Sequence, residues 1–354
     1  MPVETHPPQA TRTPVETPSA VVATVVESPT SAPTSSPTSS TVRVDPTATA
    51  VVGDTRFGVL PNKTTADGIP HALELLHVQW WDGVGANRDV FPPNVVIHAS
   101  WTDMALLADR ARKQPGMTWS MGREPNGEAA ALPEMQPARY AVLLHQVASA
   151  IHGADPTAVL VGPDVLNWTA PCEGCSGFVS GRDWTMAMRA AYVASFGEEP
   201  PFDVWTIHTY PLTWQHLPTV DYVSMQQHII DYRHYLDGIP GLHGKPIWDS
   251  ELGVHWGYEG RGMLQTAGNL QFVPLGRNRQ YLVEAYLRQM LTWLTDVGPS
   301  YNVTRWFVWA TFNPDDATDH AGGISLLDGP GPDAHLTSYG RIFADAALNA
   351  ARRR

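Results

Sequence analysis

From Thr55 onward the apolar positions fall into two alternating kinds of run. Short stretches rich in Val, Ile, Trp and Phe, the signature of buried strands, cover residues 56–60, 76–81, 94–100, 118–123, 158–165, 202–210, 246–252 and 304–312. Between them lie longer segments with apolar residues three and four apart, which predict helices over 103–113, 137–152, 185–196, 223–236, 279–295 and 337–353. The link 82–93 is too short for a helix of the same kind and is the weakest unit. Eight strand-helix units over about 300 residues predict an α/β fold, a parallel (β/α)₈ TIM barrel, whose usual size is about 250 residues. A doubly wound open sheet is the competing architecture. It lacks support at the first turn, where residues 58–61 have no Gly-rich dinucleotide pattern.

The pattern is different before residue 53. Pro, Thr, Ser, Val and Ala dominate residues 1–52, as in the run SPTSAPTSSPTSS at 28–40. Large apolar side chains are too few there to offset chain entropy, so the segment is expected to be a disordered linker or stalk, with the barrel occupying 53–354. Stalks of this composition commonly join an extracellular catalytic domain to an anchor, which predicts an extracellular or cell-surface location. No charged and then apolar signal pattern stands at Met1.

Composition narrows the partners. A chain of 354 residues with 43% hydrophobic residues can bury a sizeable core. Its net charge of -12, from 35 acidic against 23 basic residues, argues against nucleic acid, which selects basic surfaces. No apolar run reaches the roughly 20 residues needed to span a bilayer. A monomer is expected.

Two glutamates carry the candidate chemistry. Glu124 ends the run Trp119-Ser-Met-Gly-Arg-Glu-Pro-Asn126, and Glu251 lies in Pro246-Ile-Trp-Asp-Ser-Glu-Leu-Gly253. Each is a carboxyl where a strand opens into a loop, the fourth and the seventh on the barrel reading, and barrel sites lie at those strand ends. Two carboxyls facing one cleft are what glycosidic bond cleavage requires: one protonates the leaving oxygen, the other attacks the anomeric carbon or activates water. A loop carboxylate exposed to solvent is the alternative for either one alone. By strand parity Glu124 shares a face with Ser120 and Gly122, and Glu251 with Asp249 and Ile247. Asp249 is therefore expected inside the barrel beneath Glu251, raising the energy of ionising it, unless a local bulge turns it away.

These residues resemble the retaining glycoside hydrolases of the large (β/α)₈ clan A, and within it the Asl1-like glycosyl hydrolase catalytic domains. The resemblance runs from about Thr55 to Leu348. It rests on Gly122, Glu124 and Pro125 of a Gly-Asn-Glu-Pro motif, on Trp248, Glu251 and Gly253 of a Trp-x-x-Glu-x-Gly motif, on His208 and Tyr210, and on Trp309 of the eighth strand. The run Gly322-Gly-Ile-Ser-Leu-Leu-Asp328 and the later Leu336-Thr-Ser-Tyr-Gly340 resemble the clan's closing segment. The resemblance implies Glu124 as acid/base and Glu251 as nucleophile of a retaining enzyme acting on a β-linked glucan or related polysaccharide. Glu124 would be the protonated member, its pKa raised by the charge beside it. The chain departs from the clan at Arg123, which stands where an Asn usually binds the sugar 2-hydroxyl. That departure supports the rival reading, a non-catalytic carbohydrate-binding barrel. Arg123 and Asn126 flank the acid/base and are expected to touch substrate, while His208 and Tyr210 either orient the nucleophile and bind a hydroxyl or simply brace the barrel.

Of the 13 tryptophans, Trp81, Trp101, Trp256 and Trp309 lie at strand ends or in the loops beyond and are candidates for stacking on sugar rings. Trp205 and Trp248 fall one residue out of phase with the site and read as core. The only cysteines, Cys172 and Cys175, form a C-x-x-C pair that suits a loop disulfide in a secreted protein better than a redox or zinc motif. His98, His216, His255 and His320 are possible nitrogen ligands without a metal-binding spacing, so no metal or other cofactor is expected. A third reading, Asp249 and Glu251 sharing a metal ion, predicts dependence on added cations.

Overall fold

The computed structural model describes residues 53–122, 124–127, 132–169, 179–211, 220–254, 262–266, 269–273, 280–313 and 324–354. The expected stalk, Arg123, Trp256 and both cysteines lie outside the described residues, as do His216, His255 and His320. Eight parallel strands close into a barrel in the order β1 (Phe57–Leu60), β10 (Val303–Trp309), β7 (Ile247–Leu252), β6 (Val204–Thr209), β5 (Val159–Leu166), β4 (Thr118–Ser120), β3 (Val95–His98) and β2 (Trp80–Gly85). Among the described residues seven α-helices accompany them: α1 (Gly68–Leu75), α2 (Met104–Lys113), α3 (Pro137–Ala154), α4 (Gly181–Phe196), α5 (Tyr222–Asp237), α6 (Gln280–Asp296) and α7 (Ser338–Arg352). The (β/α)₈ expectation is met. The link from β2 to β3 carries no helix, as its length predicts.

Three elements differ from the sequence reading. The apolar run at 76–81 is split: Leu76 caps α1, and β2 begins only at Trp80. Helix α1 has eight residues with Gly68 and Pro70 in its first turn, too short for its period to stand out. Strand β4 ends at Ser120, three residues before the expected boundary. An antiparallel hairpin, β8 (Gly262–Thr266) with β9 (Asn269–Val273), follows β7 and had no counterpart in the reading.

Alternate residues sort to the two sides of the barrel wall. Trp119, Trp205, Trp306 and Tyr232 are fully buried with the helices. Inside the wall, Val96, Val161, Val204, Trp248 and Phe307 form a separate apolar layer. Gly58 makes room for it, because a Cβ there would lie 2.4 Å from Phe307 Cδ1. Arg305 closes the layer, its guanidinium 3.6 Å from the Trp80 ring centre and 4.6 Å from that of Trp248. On the helix side, Asp103, Ser180, Asp221 and Thr337 accept backbone N–H groups at the starts of α2, α4, α5 and α7. Each such cap contributes about 1 kcal/mol. No helix among the described residues is long and apolar enough to cross a membrane.

Candidate active site

Both glutamates reach the mouth at the carboxyl ends of the strands, by different local devices. Beyond β4 the chain holds Glu124 at φ +42°, a left-handed conformation that non-glycine residues adopt rarely and that clusters at functional sites. On β7 the device is a bulge. Ile207 pairs with Asp249 while the next residue, His208, pairs with Glu251, so Ser250 is an extra residue, and the pairing with β10 shifts at the same place. Trp248, Ser250 and Glu251 therefore contact groups inside the barrel, whereas Ile247 and Asp249 face the helices. Of the two alternatives for Asp249, plain parity fails and the bulge turns it away from the barrel interior. Asp249 is fully buried and accepts the Thr209 hydroxyl at 2.8 Å, and burial pushes its carboxyl well above the usual range.

The two carboxyls meet across β6. His208 Nδ1 lies 2.8 Å from Glu124 Oε1 and 3.8 Å from Glu251 Oε2, and the Tyr210 hydroxyl donates to Glu251 Oε1 at 2.5 Å. One oxygen of each glutamate and one nitrogen of His208 all fall within 4.8 Å of one another. The glutamate side chains remain 17% and 21% exposed, enough to face a ligand in the mouth. Burial opposes a charge on His208, but Glu251, Glu124 and Asp164 outweigh it and hold the imidazolium up to about 10. Burial is also the main cause that raises Glu251, up to about 7, with Glu124's charge adding and His208 and Tyr210 opposing.

Asp164 escaped the sequence reading. It follows the cis Gly162–Pro163 bond in β5 at φ +55° and is buried in the barrel. The hydroxyls of Ser250 and Ser120 donate to its two oxygens at 2.6 and 2.8 Å, and its own N–H donates to the Thr206 hydroxyl at 2.8 Å. Gly122 is required beside it, since a Cβ there would lie 2.1 Å from Asp164 Oδ2. Asp164 thus ties together the strands that carry Glu124, His208 and Glu251, and its Oδ1 lies 3.9 Å from His208 Nε2. Burial alone would raise it, but His208 and the three hydroxyls bring it below the usual carboxylate range. A second pair, His98 Nε2 to Asp82 Oδ1 at 2.7 Å, bridges β3 and β2. Burial opposes charge on His98, yet Asp82 foremost holds it up to about 9. His98 entered the sequence reading only as a possible nitrogen ligand. The available signal was its place at the end of the third strand, two residues from Val96 on the inward face.

The remaining candidates are distributed unevenly. Trp309 ends β10 with its ring 6.4 Å from that of Tyr210. Trp81 is buried among core residues, and Trp101 leans on Tyr140 of α3, ring centres 5.0 Å apart. Asn126 is buried and spends its amide on backbone: it donates to Leu166 and Val179 carbonyls at 2.9 and 3.3 Å and accepts the Leu166 N–H at 2.8 Å. It anchors the loop after β4 to the end of β5.

Among the described residues, Glu124, His208 and Glu251 are the group able to ligate a common ion, and Asp249 is not in it. A metal needs neutral imidazole. The three anions around His208 favour the imidazolium, the form in which both ring nitrogens donate.

No protein-family model matches the chain, and no curated protein matches it in sequence. Solved structures do match. A glucosidase from Croceicoccus marinus superposes with a TM-score of 0.54 at 10% identity, over 85% of this chain and 69% of that one. A GH39 enzyme from Xanthomonas axonopodis pv. citri gives 0.54 at 13% identity, over 83% of this chain and 67% of that one. A monomeric beta-xylosidase from Caulobacter crescentus gives 0.52 at 13% identity, over 83% and 69% respectively. The chain is similar in structure to glycoside hydrolases, and at these identities the likeness is one of fold.

Proposed function

We propose that the protein is a retaining glycoside hydrolase of a β-linked glucan or related polysaccharide, with Glu251 as nucleophile and Glu124 as acid/base. The observation that carries this reading is the approach of the two carboxyls, oxygen to oxygen within 4.8 Å, at the mouth of the barrel. Retaining enzymes hold their carboxyls about 5 to 5.5 Å apart, and inverting ones leave about 6.5 to 9.5 Å for a water molecule. Burial, with the charge of Glu124 adding, raises Glu251 to about 7, so the site holds a proton close to neutrality. Turnover needs it on Glu124 with Glu251 ionised. The Tyr210 hydroxyl favours the ionised form of Glu251, and His208 contacts Glu124. In the first step Glu251 attacks the anomeric carbon while Glu124 protonates the departing oxygen. In the second, Glu124 takes a proton from water, whose oxygen displaces Glu251 from the sugar. No resident metal or cofactor has a part in this scheme. Extracellular or surface action on a polymer fits the stalk-like composition of residues 1–52.

The test is reducing-end release from a panel of β-1,3-, β-1,4- and mixed-linked glucans, mannan, xylan and uronate-containing polymers, using wild type and Glu251→Gln. Release by wild type that is largely lost in the variant supports the assignment and names the substrate class. Equal release from both proteins means that Glu251 has been assigned wrongly. No release by either returns the site to the reading as a binding barrel.

A further inference from the structure

A groove of about 350 Å³ opens where β1 and β10 end, lined also by residues of β2. Its volume is at the lower end of the roughly 300 to 1,000 Å³ of small-molecule sites. Trp309 joins it to the active site through Tyr210, the donor to Glu251. Trp81, Asn62, Thr64, Asp82 and Arg88 also line it.

The charges along this groove are unequal in availability. Asp82 is closed off by His98 at 2.7 Å, and with His98 held charged up to about 9 the pair is neutral as a unit. The Asn62 amide donates to Asn313 at 2.7 Å, and the Thr64 hydroxyl meets that of Thr311 at 2.5 Å. Arg88 differs from all of these. It is exposed, its neighbour Asp89 is taken by Arg110 at 2.6 Å, and no acidic side chain among the described residues pairs with it. In a chain of net charge -12, an exposed guanidinium with no acidic partner among the described residues, lining a groove that also carries Trp309, is suited to receive an anion. The guanidinium fork matches a planar carboxylate bidentately, and the half-buried Trp309 indole suits the apolar face of a pyranose.

We propose that this groove binds a uronic-acid ring adjacent to the bond that is cut, with Arg88 pairing its carboxylate. The proposal rests on the glycoside hydrolase reading of the glutamate pair and names its substrate class: a polymer carrying uronic acids.

The experiment is titration calorimetry on the full chain carrying Glu251→Gln, which prevents turnover. The ligands are a β-linked oligosaccharide containing glucuronate, its carboxyl-reduced counterpart and a 6-O-sulfated counterpart. The carboxylate ligand is expected to bind about tenfold more tightly than the reduced one, the scale of one charge-assisted pair. Adding Arg88→Gln, a change on an exposed side chain, is expected to bring the carboxylate ligand down to the affinity of the reduced one. Equal affinity for the carboxylate and reduced ligands, or a preference that survives Arg88→Gln, overturns this inference alone. A preference for the sulfated ligand only overturns the uronate assignment. Binding of none of the three overturns this inference and the carbohydrate reading together.

Discussion

The two ends of the barrel interior are built from the same strands and do opposite things. Along β10, Arg305, Phe307 and Trp309 share one face: Arg305 closes the floor, Phe307 fills the apolar layer, and Trp309 stands at the mouth. Along β6, Val204 belongs to that layer while Thr206 and His208 belong to the network under the glutamates. The floor is filled by Trp248, Phe307 and three valines with one cation stacked on two indoles. The mouth gathers Glu124, Asp164 and Glu251 around His208, each within 3.9 Å of a ring nitrogen, and adds the His98–Asp82 pair on β3 and β2. Stability and chemistry are thus separated by about two residues of strand, as the barrel architecture allows. What differs is less the burial than whether buried groups are apolar or charged.

Exchange of a single residue at each end tests that separation. The largest effect is expected from Glu251→Gln: a loss of turnover of about ten-thousand-fold or more, equivalent to about 5 kcal/mol of transition-state stabilisation. Its thermal midpoint should stay level or rise, because a carboxyl that burial already pushes up to about 7 is replaced by a neutral amide. Trp248→Ala at the floor should do the reverse, costing about 3 to 5 kcal/mol in urea unfolding through the cavity it leaves. Its pH-rate profile should match that of wild type while it remains folded. If Glu251→Gln destabilised the protein as much as Trp248→Ala does, the mouth would be part of the structural core and the division would fail.

The same contrast explains what could be read from the sequence. The floor and the helix layer follow from periodicity, because apolar packing repeats at every second strand residue, and Trp205 lies with the helices as that basis predicts; Trp248 is core too, but inside the barrel on the side of Glu251, because of the bulge at Ser250. Glu124, Glu251, His208 and Tyr210 were legible as a set because each stands at a strand end. Asp249 stands between two sides in the sequence because period-two parity cannot say whether a bulge is present, and the one at Ser250 reverses the sides. Asp164 was invisible for a different reason. Its role comes from hydroxyls on three other strands and from the space left by Gly122, none of which is close to it in the chain. Asn126 reads as a substrate contact by proximity to Glu124, but its amide geometry serves the loop instead.

Asp164 offers a smaller and sharper test of the mouth. Asp164→Asn keeps the shape and removes the charge, leaving the hydroxyls of Ser120 and Ser250 with a poorer acceptor, so a loss of about 1 to 3 kcal/mol in urea unfolding at neutral pH is expected. A role limited to packing would stop there. If Asp164 also holds the charge on His208, the imidazolium should give up its proton below the value of about 10 that it has in wild type, as read from its ring nuclei by NMR titration.

The smallest effect is the corresponding change in pH dependence, and its sign follows from linkage. His208 has a folded-state pKa of about 10, above the roughly 6.5 of an unfolded chain, so its contribution is complete below about 6.5 and is lost as pH rises through 10. His98 acts in the same direction, through about 9. Glu251, raised from 4.5 to about 7, also withdraws stability as pH rises through that value. On the acid side, Asp164 lies below its ordinary value and buried His228 is pushed down to about 4, so both withdraw stability as pH falls. Wild type is therefore expected to be most stable on the acid side of neutrality, with a thermal midpoint that declines steadily from about pH 6.5 to 10. In Asp164→Asn that decline should be shallower and should end at lower pH, because His208 has less bound proton to lose. An alkaline limb identical to wild type would assign His208's charge to the two glutamates alone and reduce Asp164 to a brace between strands.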